Sequence, residues 1–139
     1  MRVWRVILDT EDVQVPGDDA PFAGIQHVAF VVSPDLATIP RVLLADPGIA
    51  AARKSSSVRA WVPRVMEELD TSKPLWCCKI GPDPDDAAIF VCVGADRPEQ
   101  VPLELTLLHR DNPGILEMLA NGWYRVAPRP IDTSVPGVW

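Results

Sequence analysis

Apolar and polar positions along the 139-residue chain alternate in short runs, whose lengths are those of strands and short helices. The first apolar run covers residues 3–8 and alternates, so that Trp4 and Leu8 share one side of an extended chain. A second run, residues 25–32, is apolar on both sides, which is typical of a strand in the middle of a sheet. We therefore predict two strands, separated by a polar loop over residues 9–24.

Helical patterns follow this pair of strands. Ser33 and Pro34 are residue types of an N-cap and of a first helical position, and they predict short helical turns over residues 35–46. In residues 58–69 the apolar positions recur at intervals of three and four, which predicts an amphipathic helix with one apolar stripe. Pro63 lies on the polar side of that stripe and predicts a kink or a later helix start.

Residues 75–93 predict a β-hairpin, because two apolar stretches of strand length flank a turn rich in Gly, Pro and Asp. Pairing Ile80 with Ala87 would make Cys77 and Cys92 diagonal neighbours on one face, and a two-residue shift would place them directly opposite each other. In both registers the thiols lie among apolar neighbours, where a free cysteine behaves as a small buried hydrophobic residue.

The remaining pattern predicts a strand, a helix and a short strand. Leucines at every second position predict a strand over residues 103–110. Asn112 and Pro113 are residue types that begin a helix, and Gly122 is one that ends it. Residues 123–127 predict a last short strand.

These elements predict an α+β fold with a single domain over residues 1–127. In it, an antiparallel or mixed sheet of about five to six strands packs against two or three helices. Residues 128–139 form a Pro-rich C-terminal extension that ends in Val138 and Trp139. We interpret these two residues as an interaction tail, which docks onto its own domain or onto a partner.

Composition indicates a folded protein of the cytoplasm. Hydrophobic residues make up 47% of the chain and charged residues 23%, and no stretch approaches the about 18 apolar residues of a membrane span. Three cysteines without a signal-peptide pattern indicate a reducing compartment. The net charge of −6 lacks the basic footprint of a nucleic-acid binder. Abundant arginine and scarce asparagine are what GC-rich codons produce, which indicates a GC-rich bacterium or its phage.

Aspartate, histidine and cysteine supply candidate chemistry without the spacing of a known catalytic or metal motif. The hairpin turn carries Asp83, Asp85 and Asp86 but lacks the glycine and the distal glutamate of a calcium loop, so we predict no metal and no cofactor. His109, Asp111 and one cysteine would have to meet in space to form an enzyme site. We keep that small enzyme as an alternative to a protein without catalytic activity.

A basic, serine-rich segment is the most informative local feature of this acidic chain. It leads into the helix predicted over residues 58–69, whose free backbone N–H groups and dipole would favour an anion. The candidate anion-binding or partner-binding residues are Arg53, Lys54, Ser55, Ser56, Ser57 and Arg59. The alternative interpretation is a solvated loop in which one serine caps the helix.

Together these patterns predict a small intracellular binding protein without catalytic activity. Its partner would be a protein or a small anionic ligand, and its five tryptophans are compatible with a homo-oligomer. The alternatives are the small Cys/His/Asp enzyme and a phage-encoded inhibitor or accessory protein, which composition and size alone motivate.

Overall fold

The computed structural model of the protein describes four stretches of the chain, namely residues 1–10, 26–55, 61–81 and 88–139. These stretches contain seven strands and four α-helices, and every strand pair in them is antiparallel. The predicted α+β class is therefore confirmed. The strands form one sheet of four and one of three, because two groups of buried side chains form separate apolar cores.

The described chain divides into two compact units, each with a core of its own. The first unit contains residues 1–69 and 133–139, and the second contains residues 70–132. The single domain over residues 1–127, with its extension over residues 128–139, stays a prediction.

The first unit is built on a four-stranded sheet with the strand order β3-β1-β2-β7. Trp4, Val6 and Leu8 of its first strand pack with Ile39 and Leu43 of the first helix, so these three residues share one face of the strand, as predicted. The elements of this unit are β1 (Arg2–Thr10), β2 (Gln26–Ser33), α1 (Ile39–Ala45), α2 (Pro47–Ser55), β3 (Trp61–Glu68) and β7 (Gly137–Val138).

Asp35, rather than the predicted Ser33, begins the helical segment after β2. The carboxylate of Asp35 accepts hydrogen bonds from the backbone N–H of Thr38 at 2.8 Å and from its hydroxyl at 2.6 Å. These bonds cap a 3₁₀ turn over Leu36–Thr38 and hold the pKa of Asp35 below its ordinary value. Ser33 ends β2 instead, and its hydroxyl donates to the carbonyl oxygen of Asp35 at 2.8 Å.

The helix predicted over residues 58–69 is wrong, because the described part of this segment forms the edge strand β3. β3 pairs with β1 in an antiparallel register that one irregularity interrupts. An edge strand tolerates Pro63, whereas a helix interior would lose a hydrogen bond there. Met66 packs against the core while its neighbour Val65 is exposed, as alternation along a strand requires.

The second unit is built on a three-stranded sheet with the strand order β5-β4-β6. Its elements are β4 (Leu75–Ile80), β5 (Ile89–Gly94), α3 (Val101–Leu108), α4 (Pro113–Ala120) and β6 (Tyr124–Val126). Trp76, Cys78 and Ile80 of β4 share a core with Val101 and Leu105 of α3. The predicted hairpin and the predicted last short strand are both confirmed.

The strand predicted over residues 103–110 is wrong, because α3 covers most of this segment. Val101 and Leu105 are four residues apart and are both buried, so the helix packs through one face. A proline in the first turn is compatible with a helix start. The leucines at alternate positions fit a strand by pattern alone, but Leu103 and Leu107 lie on the exposed side of the helix.

Asn112 caps α4 as predicted. Its side-chain oxygen accepts a hydrogen bond from the backbone N–H of Ile115 at 3.2 Å. Gly122 follows the helix with a φ of 72°, a conformation that glycine adopts without the steric cost of a Cβ atom.

We expect Asn112→Ala to lower the free energy of unfolding by about 1 kcal/mol, because the N–H of Ile115 would lose its partner. Urea denaturation followed by tryptophan fluorescence measures this loss. Asp111→Ala is the matched control at the neighbouring exposed position, and its effect should stay within about 0.5 kcal/mol. Equal losses in the two variants would contradict the capping role.

Candidate functional site

The six residues predicted to bind an anion fall on two parts of the chain. Arg53, Lys54 and Ser55 are the last residues of α2. The other three, Ser56, Ser57 and Arg59, lie outside the described residues. β3 replaces the helix whose N-terminus was to favour the anion, and the C-terminal end of a helix such as α2 favours cations instead. Anion binding by this segment stays a prediction, but a helix N-terminus at residue 58 no longer supports it.

The acidic turn and the histidine of the enzyme alternative are separate candidates for chemistry. Asp83, Asp85 and Asp86 of the hairpin turn lie outside the described residues. His109 ends α3, and its Nδ1 atom is 3.0 Å from the carbonyl oxygen of Leu105, which ties the ring to its own helix. Within the described stretches, no three side chains of His, Cys, Asp or Glu come together as a metal ion would need.

The predicted interaction tail docks onto the first unit of its own chain. β7 pairs with β2, with Val138 opposite Val31. The backbones of Trp139 and Phe30 exchange two hydrogen bonds, of 2.8 Å and 3.3 Å. The side chain of Val138 packs against the core of this unit. Docking in cis is one of the two outcomes that the sequence left open, and a contact of the tail with a partner stays a prediction.

Cys77 and Cys92 face each other across β4 and β5. The observed register pairs Ile80 with Ile89, two residues from the first register considered, so the two cysteines are directly opposite. Their Sγ atoms are 3.1 Å apart, and both residues are partly exposed free thiols. Cys78 points to the other face of the sheet and belongs to the core.

The two facing thiols differ in acidity. The hydrogen bond between their Sγ atoms lowers the pKa of Cys77. The same bond, together with burial, raises the pKa of Cys92. Burial raises the pKa of Cys78 to about 12. Cys77 is therefore the thiol that is poised to become a nucleophilic thiolate, beside a second thiol that retains its proton.

An uncharged edge strand is the second feature of the site. β3 is an edge strand with a proline and three charged residues, and the edge strands β6 and β7 have only three and two residues. Such features discourage pairing with another chain. β5 is also an edge strand, but its six residues include no proline and no charge. Its outer edge is therefore suited to strand pairing.

Exposed leucines on α3 add apolar surface in the same unit. Leu103, Leu107 and Leu108 have exposed fractions of 60%, 47% and 56%. α3 packs against β5 while α4 packs against β4, so these leucines belong to the helix that lies against the edge strand. We call the outer edge of β5 and these three leucines the β5–α3 surface.

Sequence patterns did not reveal the β5–α3 surface, because the leucines were assigned to a strand. The available signal was the run Ile89–Gly94, which is long enough for a strand and carries no charge to protect it.

We expect Cys77 to be alkylated before Cys78 in the reduced native protein, and at lower pH than an ordinary thiol of pKa 9.0, because the thiolate is the reacting form. Iodoacetamide labelling at neutral and alkaline pH, followed by mass spectrometry, measures the rates. Cys92→Ala removes the hydrogen bond between the two cysteines and should move the midpoint for Cys77 to higher pH, whereas Cys78→Ala should not. Labelling of Cys77 only on unfolding would contradict this order.

We expect Val138→Ala to lower the free energy of unfolding of the first unit by about 1 kcal/mol, because two methyl groups leave the packed side of β7. Val135→Ala is the matched control in the same tail, at a residue exposed by 58%. Chemical denaturation compares the two variants. A loss as small as that of the control would mean that the docking of β7 adds little stability.

Comparison of the chain with protein-family models, with curated proteins and with solved structures finds no match in any of the three. No helix within the described stretches is long and apolar enough to cross a membrane. The thiol pair and the β5–α3 surface are therefore the features from which a function is to be argued.

Proposed function

We propose that this protein is a small non-enzymatic binding protein, which acts through protein–protein contacts at the β5–α3 surface. The uncharged strand β5, which pairs on one side only among the described strands, is the observation that carries the proposal. An edge strand presents a row of backbone N–H and C=O groups, to which an extended strand of another chain can add. The exposed leucines of α3 would supply apolar contacts beside that strand.

A second copy of this chain is the occupant that best fits the surface. Antiparallel pairing of β5 with its copy about a two-fold axis keeps both sheets in one layer and both α3 helices on the same face. Since α3 packs on β5, the two α3 helices then come together beside the seam. One symmetry operation therefore pairs the edge of β5 and brings α3 next to its copy, and uncharged strands bring no like charges together.

Apolar burial would contribute to such a pair. Burying a fully exposed leucine side chain contributes about 1.5–3 kcal/mol, so three roughly half-exposed leucines from each copy would contribute about 4–9 kcal/mol at complete burial. This is comparable with the lower part of the association cost, which is about 4–15 kcal/mol. The backbone hydrogen bonds between the two β5 strands would then fix the register of the pair.

A protein partner is favoured over a small anionic ligand. The anion would depend on the basic segment, which begins within the last residues of α2 and precedes β3, where no helix begins. The three cysteines are free thiols, which is compatible with the reducing cytoplasm that we propose as the location.

We expect sedimentation equilibrium of the reduced protein to show a concentration-dependent dimer. Phe90→Lys adds a charge to β5 at a residue exposed by 39%, and Leu107→Glu adds one to α3. Each should weaken association by about tenfold or more, because a charge would be buried at the seam. Leu44→Glu is the matched control, since Leu44 is exposed by 61% on α1 of the first unit. It should leave association unchanged.

A protein that stays monomeric up to about 0.1 mM would contradict the second copy as occupant. A dimer that resists both Phe90→Lys and Leu107→Glu would contradict the β5–α3 surface as its interface. Circular dichroism of each variant shows whether the fold is retained, so that a loss of association is not confused with unfolding.

A further inference from the structure

We propose that Cys77 and Cys92 form a reversible thiol–disulfide site, whose co-reactant is a small disulfide of the oxidised glutathione class. This modification site is carried by the geometry of the β4–β5 pair alone. It does not depend on the proposed association at the β5–α3 surface.

The β4–β5 register satisfies the distance requirement of a disulfide. Directly opposite residues of antiparallel strands have Cα atoms about 4.5 or 5.5 Å apart, according to their position in the ladder. A disulfide accepts Cα separations of about 4.4–6.8 Å, so Cys77 and Cys92 qualify in either position. Their Sγ atoms, now 3.1 Å apart, need to approach by only about 1 Å to reach the S–S bond length.

The two strands differ in how firmly they are held. Cys77 lies on the central strand β4, and its carbonyl oxygen also accepts a hydrogen bond from the N–H of Ala127 at 2.9 Å. Cys92 lies on β5, which has a sheet neighbour on one side only. In the monomer, the edge strand can therefore make the small movement that closes the bond, while the central strand keeps its place.

The chemistry is two successive thiol–disulfide exchanges. The Cys77 thiolate attacks one sulfur of the small disulfide, whose S–S bond breaks, and the leaving thiolate takes up a proton. Cys92 then gives up its proton, and its thiolate attacks the Sγ of Cys77 and releases the second small thiol. The two cysteine sulfurs lose two electrons, and the small disulfide gains them as two thiols. An excess of small thiol reverses both steps.

The partial exposure of both residues admits the small disulfide, whereas Cys78 is buried on the other face of the sheet. The hydrogen bond between the two cysteines supports the order of the steps, because it favours the thiolate at Cys77. Cys78 is therefore expected to stay a thiol throughout.

Equilibration of the reduced full chain in glutathione buffers of increasing oxidised fraction tests this site. Acid quenching and mass spectrometry then count the remaining thiols. We expect one internal disulfide that dithiothreitol reverses. Cys78→Ser is the matched control and should still form it, whereas Cys77→Ser should not. Cys92→Ser should stop at a mixed disulfide between Cys77 and glutathione.

Three thiols that persist in fully oxidised glutathione would overturn the proposal, as would an internal disulfide that Cys78→Ser abolishes. A Cys92→Ser protein that gains no glutathione would overturn the role of Cys77 as nucleophile. Circular dichroism verifies the fold of each variant. Dimerisation is measured separately, on the reduced protein. A failure of the thiol–disulfide site can therefore be distinguished from a failure of association at the β5–α3 surface.

Discussion

The second unit depends on one constraint, which is the register of its central strand β4. This strand is hydrogen-bonded to β5 on one side and to β6 on the other. Its inward row carries the core, where the indole N–H of Trp76 donates to the carbonyl oxygen of Ala95 at 2.9 Å and so leaves no unsatisfied polar atom on that ring. A shift of the β4 register by one residue would turn the core-facing side chains outward and bring the side chains on the face of Lys79 into the core. The same register that forms the core also sets the two thiols opposite each other.

Elements with strong local signals could be predicted from the sequence, and elements decided by distant partners could not. Asn112 and Gly122 act within one or two helical turns, so their residue types were sufficient to place α4. Residues 58–69 satisfy a helical spacing, but the described part of them pairs with β1, which lies far away in the chain. In α3, Leu103 and Leu107 fit both periodicities. Val101 and Leu105 are four residues apart and both buried, which is the spacing of one helix face.

Only part of the candidate site could be predicted from the sequence. Sequence alone offered two registers for the hairpin, because the length and composition of its turn do not select one, and only the second places Cys77 opposite Cys92. The anion-binding segment depended on a helix start that β3 replaces. Only the strand order shows that β5 is an edge strand. Strand order depends on long-range contacts rather than on local pattern, so it could not be predicted here.

The pairing of β7 with β2 makes the first unit discontinuous in sequence, since the whole of the second unit lies between β3 and β7. A ribosome therefore completes the second unit before it supplies the last strand of the first. Until then, β2 has one edge without its partner, and this edge is available for incorrect pairing in the nascent chain. Synthesis of the first unit therefore begins before that of the second, but its sheet is completed only after the second unit.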